Sequence, residues 1–181
     1  DCRFGGELFA ETVAKVLLHE GIEVKMAKGF VSTPMISLAA KQLNCGLGII
    51  LTASHNPPSY NGYKIKAYYG GPLTPEFVQE IEDIIPEKLD FDYQSIQLET
   101  YENSGKLEYH DFETRYVKHI EANFDLEAIR NSNLNLVYDA MYGAGQNVIP
   151  RILPKVHLLH CDYNPSFKGQ APEHIQKNLK E

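Results

Sequence analysis

Leu51-Thr52-Ala53-Ser54-His55-Asn56-Pro57-Pro58-Ser59-Tyr60-Asn61-Gly62-Tyr63-Lys64 follows directly on the short apolar run Gly46 to Ile50. That run reads as a buried strand, so Ser54 falls where a strand's carboxyl end opens into a loop, the end at which open α/β sheets hold their ligands. Asn56-Pro57-Pro58 and Asn61-Gly62 are turn signals, because Pro fixes φ while Gly and Asn tolerate positive φ; the loop is expected to be rigid and partly exposed. Ser54, His55, Asn56 and Lys64 gather a hydroxyl, an imidazole, a carboxamide and an ammonium into one loop and the start of the next strand.

Outward from this loop the chain alternates. Phe9, Val13, Val16 and Leu17 recur at helical spacing over residues 7 to 20, with Gly21 placed to close the helix, and Ile22 to Ala27 reads as a strand. Thr33 reads as an N-cap with Pro34 behind it, and Ile36, Ala39, Ala40 and Leu43 give that helix its apolar face. After the Ser54 loop, Tyr63 to Tyr69 reads as a strand, and Thr74-Pro75 opens a helix carrying Phe77, Ile81, Ile84 and Ile85 on one side. The fold class is therefore α/β, a three-layer α/β/α arrangement. Only residues 53 to 62 join Leu51 to Tyr63, too short a link for a parallel crossover, so the sheet is predicted to be mixed, mostly parallel with one antiparallel member.

Periodicity fails from about Leu89 to Glu108, which is expected to mark the edge of a first domain, residues 1–108. Asp90 and Asp92 stand there without a third ligand and read as solvated linker acids. Phe112, Tyr116, Ile120 and Phe124 return to helical spacing with Asp111 or its neighbour as cap, so 109–132 reads as a bridging helix and linker. Leu134 to Tyr138 begins a second, similar α/β unit over 133–181. Gly143-Ala144-Gly145 leads there to a helix ending near Leu153, then a strand Val156 to Cys161, a turn-rich loop, and a final helix from about Glu173. The Gly-x-Gly after that strand lacks the fuller dinucleotide fingerprint and is read as close packing of strand on helix rather than a phosphate cradle.

Three chemistries fit the Ser54 loop: a polar turn without function, a base-activated serine nucleophile, or a serine that carries a phosphoryl group with Lys64 and His55 as partners of its oxygens. Adjacent Ser and His side chains usually diverge, and the Gly-x-Ser-x-Gly turn of hydrolases is absent, which disfavours the second. Thr52-Ala53-Ser54-His55-Asn56-Pro57 followed by Asn61-Gly62-Tyr63-Lys64 resembles the phosphoserine loop of the α-D-phosphohexomutases, the phosphoglucomutase and phosphomannomutase family. Asp1-Cys2-Arg3 resembles that family's Asp-x-Arg, and Tyr138 to Gly145 with Asn164-Pro165-Ser166-Phe167 resemble parts of its second domain.

The resemblance implies an isomerase that moves a phosphoryl group between hexose 1-phosphate and hexose 6-phosphate through phospho-Ser54 and a 1,6-bisphosphate, which also serves as activator. It assigns catalytic roles to Ser54, Lys64 and His55, and substrate or phosphate binding to Asn56 and Arg3. His55 has two roles open, holding a phosphate or tying down the loop backbone; Arg3 likewise either steadies the loop or makes a surface ion pair. Mg²⁺ is implied as cofactor, reaching Ser54 through its phosphate, with acidic ligands on an Asp-Gly-Asp-x-Asp-Arg loop beyond this chain. Glucose or mannose phosphate is expected over glucosamine phosphate, whose mutases commonly carry Ser-Ala-Ser-His-Asn-Pro and Asn-Gly-Ile-Lys. The expected whole is a four-domain enzyme of which these residues are the first domain, without its first strand, and part of the second. A non-catalytic association module is the alternative.

Composition bounds the partners. A formal charge of −7 over 181 residues, with no Lys/Arg run, argues against nucleic acid or an anionic membrane. No apolar stretch reaches 18 residues, and three widely spaced cysteines, Cys2, Cys45 and Cys161, suit reduced thiols in a cytoplasmic setting. The expected partners are a phosphosugar and the remaining domains of the same polypeptide.

Overall fold

The computed structural model describes residues 1–178. In chain order the elements are α1 (Gly6–His19), β1 (Val24–Ala27), α2 (Thr33–Gln42), β2 (Leu47–Leu51), β3 (Tyr63–Ala67), α3 (Pro75–Asp83), α4 (Leu98–Asn103), β4 (Leu107–His110), α5 (Phe112–Asn123), α6 (Leu126–Arg130), β5 (Val137–Asp139), α7 (Ile149–Ile152) and β6 (His157–Leu159), with short 3₁₀ turns at Tyr93–Ser95 and Phe167–Gly169. This is the layered α/β architecture expected, with mixed pairing. β2 and β3 run antiparallel in the register Leu51↔Tyr63 to Leu47↔Ala67, as the short loop between them requires. β1 pairs parallel with β4, and β5 with β6, with α7 in the second crossover.

Local chemistry explains the boundaries. Gly21 N–H returns to Leu18 O and Ile22 N–H to Leu17 O, the paired bonds that close α1. α2 begins one residue earlier than its predicted cap implies, with Ser32 as N-cap and Thr33 already helical. Asp111 caps α5 as expected, its carboxylate accepting from Thr114 N at 2.8 Å.

Several expectations are corrected. Residues 89–108, where periodicity fails, nonetheless carry α4 and the start of a strand that was not expected: Leu107, among the most deeply buried side chains, lies in β4 and pairs with β1. A strand this short, with a single buried side chain, leaves too little apolar pattern to be told from a linker. α1 buries Ala14 and Leu18, while Phe9, expected on the inner face, is 45% exposed. α3 buries nothing; Phe77, Ile81, Ile84 and Ile85 face outward because no other described element packs closely over them. The helix expected from Glu173 is replaced through Asn178 by turns, with Asn178 Nδ2 donating to Ala171 O and Glu173 O; its remainder lies outside the described residues.

The main core joins the two halves. Val31, Met35 and Ala39 meet Phe112 and Val117 of α5, Leu126 of α6, and Val148 and Ile152 beside and within α7. α5 thus lies between α2 and α7, and this fixes the loops at the ends of β2 and β5 relative to one another.

Candidate active site

The loop after β2 is organised by one buried cation. Arg3, its side chain fully enclosed, donates through Nε to Asp1 Oδ2 at 3.1 Å, through Nη1 to Pro57 O (2.8 Å) and Tyr60 O (3.3 Å), and through Nη2 to Ser54 O (2.6 Å) and Asn56 O (2.9 Å). A guanidinium has five N–H groups, so every donor is committed within the fold. The surface ion pair offered as one role for Arg3 is therefore corrected: its side chain is enclosed, its pair with Asp1 is part-buried, and both belong to the loop. Burial pulls the Arg3 pKa below its ordinary value, but a guanidinium remains charged at any working pH.

Asp1 extends the clamp. Its carboxylate accepts from Arg3 N at 2.8 Å and from Thr52 Oγ1 at 2.6 Å, and Thr52 Oγ1 in turn accepts from Ser54 N at 3.1 Å. Gly62 closes the loop: Thr52 N donates to Gly62 O at 2.9 Å, and a Cβ on Gly62 would lie 2.8 Å from Thr52 O, so a side chain there would force the two strands apart. Asn56 donates both its backbone N–H and its Nδ2 to Ala53 O, at 3.0 and 2.9 Å, which makes it a turn former first.

Ser54 is consequently held with φ near 56°, in the left-handed region, and is exposed. A non-glycine residue there costs roughly 1–2 kcal/mol, so the surrounding bonds impose this conformation. Its Oγ lies 3.4 Å from His55 Nδ1. The two side chains thus converge more than adjacent residues commonly do, but no third group orients the imidazole among the described residues, so the arrangement is not a hydrolase triad.

Ser54 and His55 border a cleft of about 440 Å³. Its near wall carries Asp1, Cys2, Ile50, Thr52 and the start of α2; its far wall comes from the second unit through Met141, Ala144, Phe167 and His174. Lys64 is not on this lining. It sits in β3, opposite Ile50 in register, its side chain exposed and without a hydrogen bond or ion pair among the described residues. The sequence reading missed Asp1, Thr52, Phe167 and His174 as site residues. The first three lie in stretches that it singled out, but the contact of Phe167 with the far end of the chain has no local signature.

Gly143-Ala144-Gly145 follows β5 as predicted and answers the packing reading. The Tyr138 hydroxyl occupies the space a Gly145 side chain would need, and Gln146 Nε2 ties the turn by donating to Gly143 O at 2.9 Å. Among the described residues no three His, Cys, Asp or Glu side chains gather as a metal would need, and the Asp1 carboxylate is spent on Arg3 and Thr52. No described helix is long and apolar enough to cross a membrane.

Comparison with known proteins agrees with this geometry. The chain matches the model of phosphoglucomutase/phosphomannomutase alpha/beta/alpha domain I over residues 1–91 and that of domain II over 114–181. It is 35% identical to a phosphoglucosamine mutase of Methanococcus maripaludis strain C5, across 100% of this chain and 39% of that protein. It is 31% identical to a phosphoglucomutase/phosphomannomutase of Thermococcus kodakarensis, across 99% of this chain and 39% of the relative. A crystal structure described as a phosphomannomutase from Thermus thermophilus superposes with a TM-score of 0.84 at 33% identity, covering 98% of this chain and 40% of that one. The chain thus spans about two fifths of the length of these relatives. With both domain models matched in order and the Ser54 loop facing the second unit across the cleft, this chain belongs to the phosphoglucomutase/phosphomannomutase family.

Proposed function

We propose that this chain is the phosphoryl-carrying part of a phosphohexomutase, with Ser54 as the carrier. Phospho-Ser54 gives its phosphoryl group to a free hydroxyl of a hexose monophosphate. The P–O bond to Ser54 breaks, a P–O bond to the sugar forms, the sugar hydroxyl's proton passes to a base, and the departing Ser54 Oγ takes up a proton. The resulting 1,6-bisphosphate turns around and returns its other phosphoryl group to Ser54, so the net change is isomerisation.

The observation that carries this reading is an exposed hydroxyl on a loop whose carbonyls have been turned onto a buried cation. A phosphoserine brings about −1.5 to −2 charges. Four carbonyl oxygens free to face that charge would repel it; here Ser54, Asn56, Pro57 and Tyr60 O all point at Arg3. Phosphoryl transfer draws its rate from positioning and charge stabilisation, and a rigid loop of this kind supplies the first. Arg3, all donors spent, acts in this account as a positioning residue and not as a phosphate ligand. His55, at the cleft beside Ser54 Oγ, is the imidazole that meets the phosphate, and Lys64 supplies charge or proton transfer from β3. The acidic metal loop and the loops that read the sugar belong, in this proposal, to the rest of the polypeptide, so residues 1–181 alone give no turnover. Glucose or mannose phosphate is the proposed substrate.

A coupled assay on the full-length polypeptide with glucose, mannose and glucosamine 1-phosphates in parallel tests this. Turnover of at least one, abolished by Ser54→Ala and absent from residues 1–181, is expected. A full-length protein inactive on all three would leave only the association-module reading, and turnover dominated by glucosamine phosphate would overturn the sugar assignment.

A further inference from the structure

Arg3 spends its five N–H groups in the guanidinium plane, which fixes the cation against sliding within that plane but not against tilting out of it. Only its two flat faces remain, and one of them is covered. Phe167, 3% exposed, lies with its ring centroid 5.0 Å from Arg3 Cζ. Phe167 belongs to the second unit, far along the chain, on a turn where Phe167, Lys168 and Gly169 all hold positive φ, at 49°, 50° and 79°. Two consecutive non-glycine residues in that region are costly, so the fold maintains the turn against local preference. A second tie runs beside the first: Cys2, adjacent to Arg3, donates its Sγ–H to Tyr142 O at 2.9 Å, and Cys2, Tyr142 and Phe167 form one buried cluster with Phe30 against it.

We propose that Phe167 is a positioning residue for the Ser54 loop, acting through the face of Arg3, so that the second unit holds the first unit's loop in its working shape. An aromatic face attracts a desolvated guanidinium and resists its tilt, whereas an aliphatic side chain of similar bulk fills the space without that attraction. Tilting Arg3 loosens the bonds to Ser54, Asn56, Pro57 and Tyr60 O together, because one rigid group makes them all. The consequence for turnover rests on the phosphoserine reading above; the consequence for loop order does not.

The test uses the full-length polypeptide with Phe167→Leu and Phe167→Tyr, read by amide hydrogen exchange in peptides covering residues 52–62 and, as control, α5. In the Leu variant the loop amides should exchange roughly tenfold faster while α5 is unchanged; the Tyr variant, keeping the face, should stay near wild type. In the coupled assay the Leu variant should lose kcat with little change in KM, and Tyr should restore it. Loop exchange unaltered in the Leu variant would overturn the proposal. So would equal acceleration of loop and α5, which is plain loss of packing. If the Leu variant does not fold, the Tyr variant decides alone: loss of loop protection despite an aromatic ring contradicts the proposal. A protein without mutase activity that still shows the exchange pattern would refute the phosphoserine reading and leave the latch standing.

Discussion

Two loops in this molecule follow a strand, carry turn residues and open on the same cleft, yet they are held by different means. The Ser54 loop is tied by a buried cation that binds four of its carbonyls, whereas the Met141–Gly145 turn is tied by the Asp139 carboxylate accepting from Met141 N at 2.8 Å, by the Gln146 amide donating to Gly143 O, and by the Tyr138 hydroxyl packed against Gly145. Among the described residues Arg3, Thr52 and Gln146 are the buried polar ones, and two of the three serve the first loop. Burying a guanidinium is costly unless every donor is met, so a fold keeps one where loop geometry must be tightly fixed. The second turn is filled by packing and, among the described residues, encloses no buried cation.

The largest effect should come from removing the clamp while keeping its charge. Arg3→Lys leaves at most three donors on a point charge where five were arranged in a plane, so several loop carbonyls lose their partner. Turnover is expected to fall ~10²-fold or more, with a loss of roughly 3 kcal/mol in unfolding free energy. Wild-type turnover in that variant would mean that charge alone organises the loop.

Next comes Lys64→Ala. The side chain is exposed and makes no described contact with a partner, so melting temperature should hold while turnover falls ~10²-fold through loss of one stabilising charge. A full rate would reduce Lys64 to a solvated strand residue, consistent with its absence from the cleft lining.

How far the sequence carried these expectations differs between the loops. Asn56-Pro57-Pro58, Asn61-Gly62 and the strand before them made the Ser54 turn readable, because turn chemistry is local. The antiparallel β2–β3 pair was readable for the same reason, from linker length. The full coordination of Arg3 was not, since Asp1-Cys2-Arg3 says nothing about which carbonyls will surround it, and the Phe167 contact depends on the shared core of α2, α5 and α7. Strand β4 and the bare face of α3 were misread for opposite reasons: β4 is too short to leave an apolar pattern, whereas in α3 periodicity reports an amphipathic segment whose burial depends on what tertiary structure sets beside it.

Gly145→Ala probes the second loop. A methyl group there must displace the Tyr138 hydroxyl, so a destabilisation of about 1–3 kcal/mol is expected, partly relieved by Tyr138→Phe, with KM for the phosphosugar unchanged. A several-fold rise in KM without loss of stability would instead make this turn a phosphate cradle and erase the contrast.

The smallest effect is a pH dependence beside the latch. Burial raises the Cys2 pKa above the thiol's ordinary value, which favours the neutral form that donates to Tyr142 O. A group raised in the fold contributes stability that is whole below its ordinary pKa and is lost as pH rises through the raised value. Chemical unfolding from about pH 8 upward, just below the ordinary thiol range, should therefore show a declining limb that Cys2→Ala flattens; an identical limb in both proteins would place its origin elsewhere.

The most direct measurement is a phosphopeptide map of the full-length polypeptide after exposure to a hexose 1,6-bisphosphate, made under conditions that preserve phosphohistidine. One phosphoryl group on Ser54, absent from the Ser54→Ala variant, is the predicted result. Phosphate on Ser37, Ser59 or His55 with none on Ser54 would contradict the account.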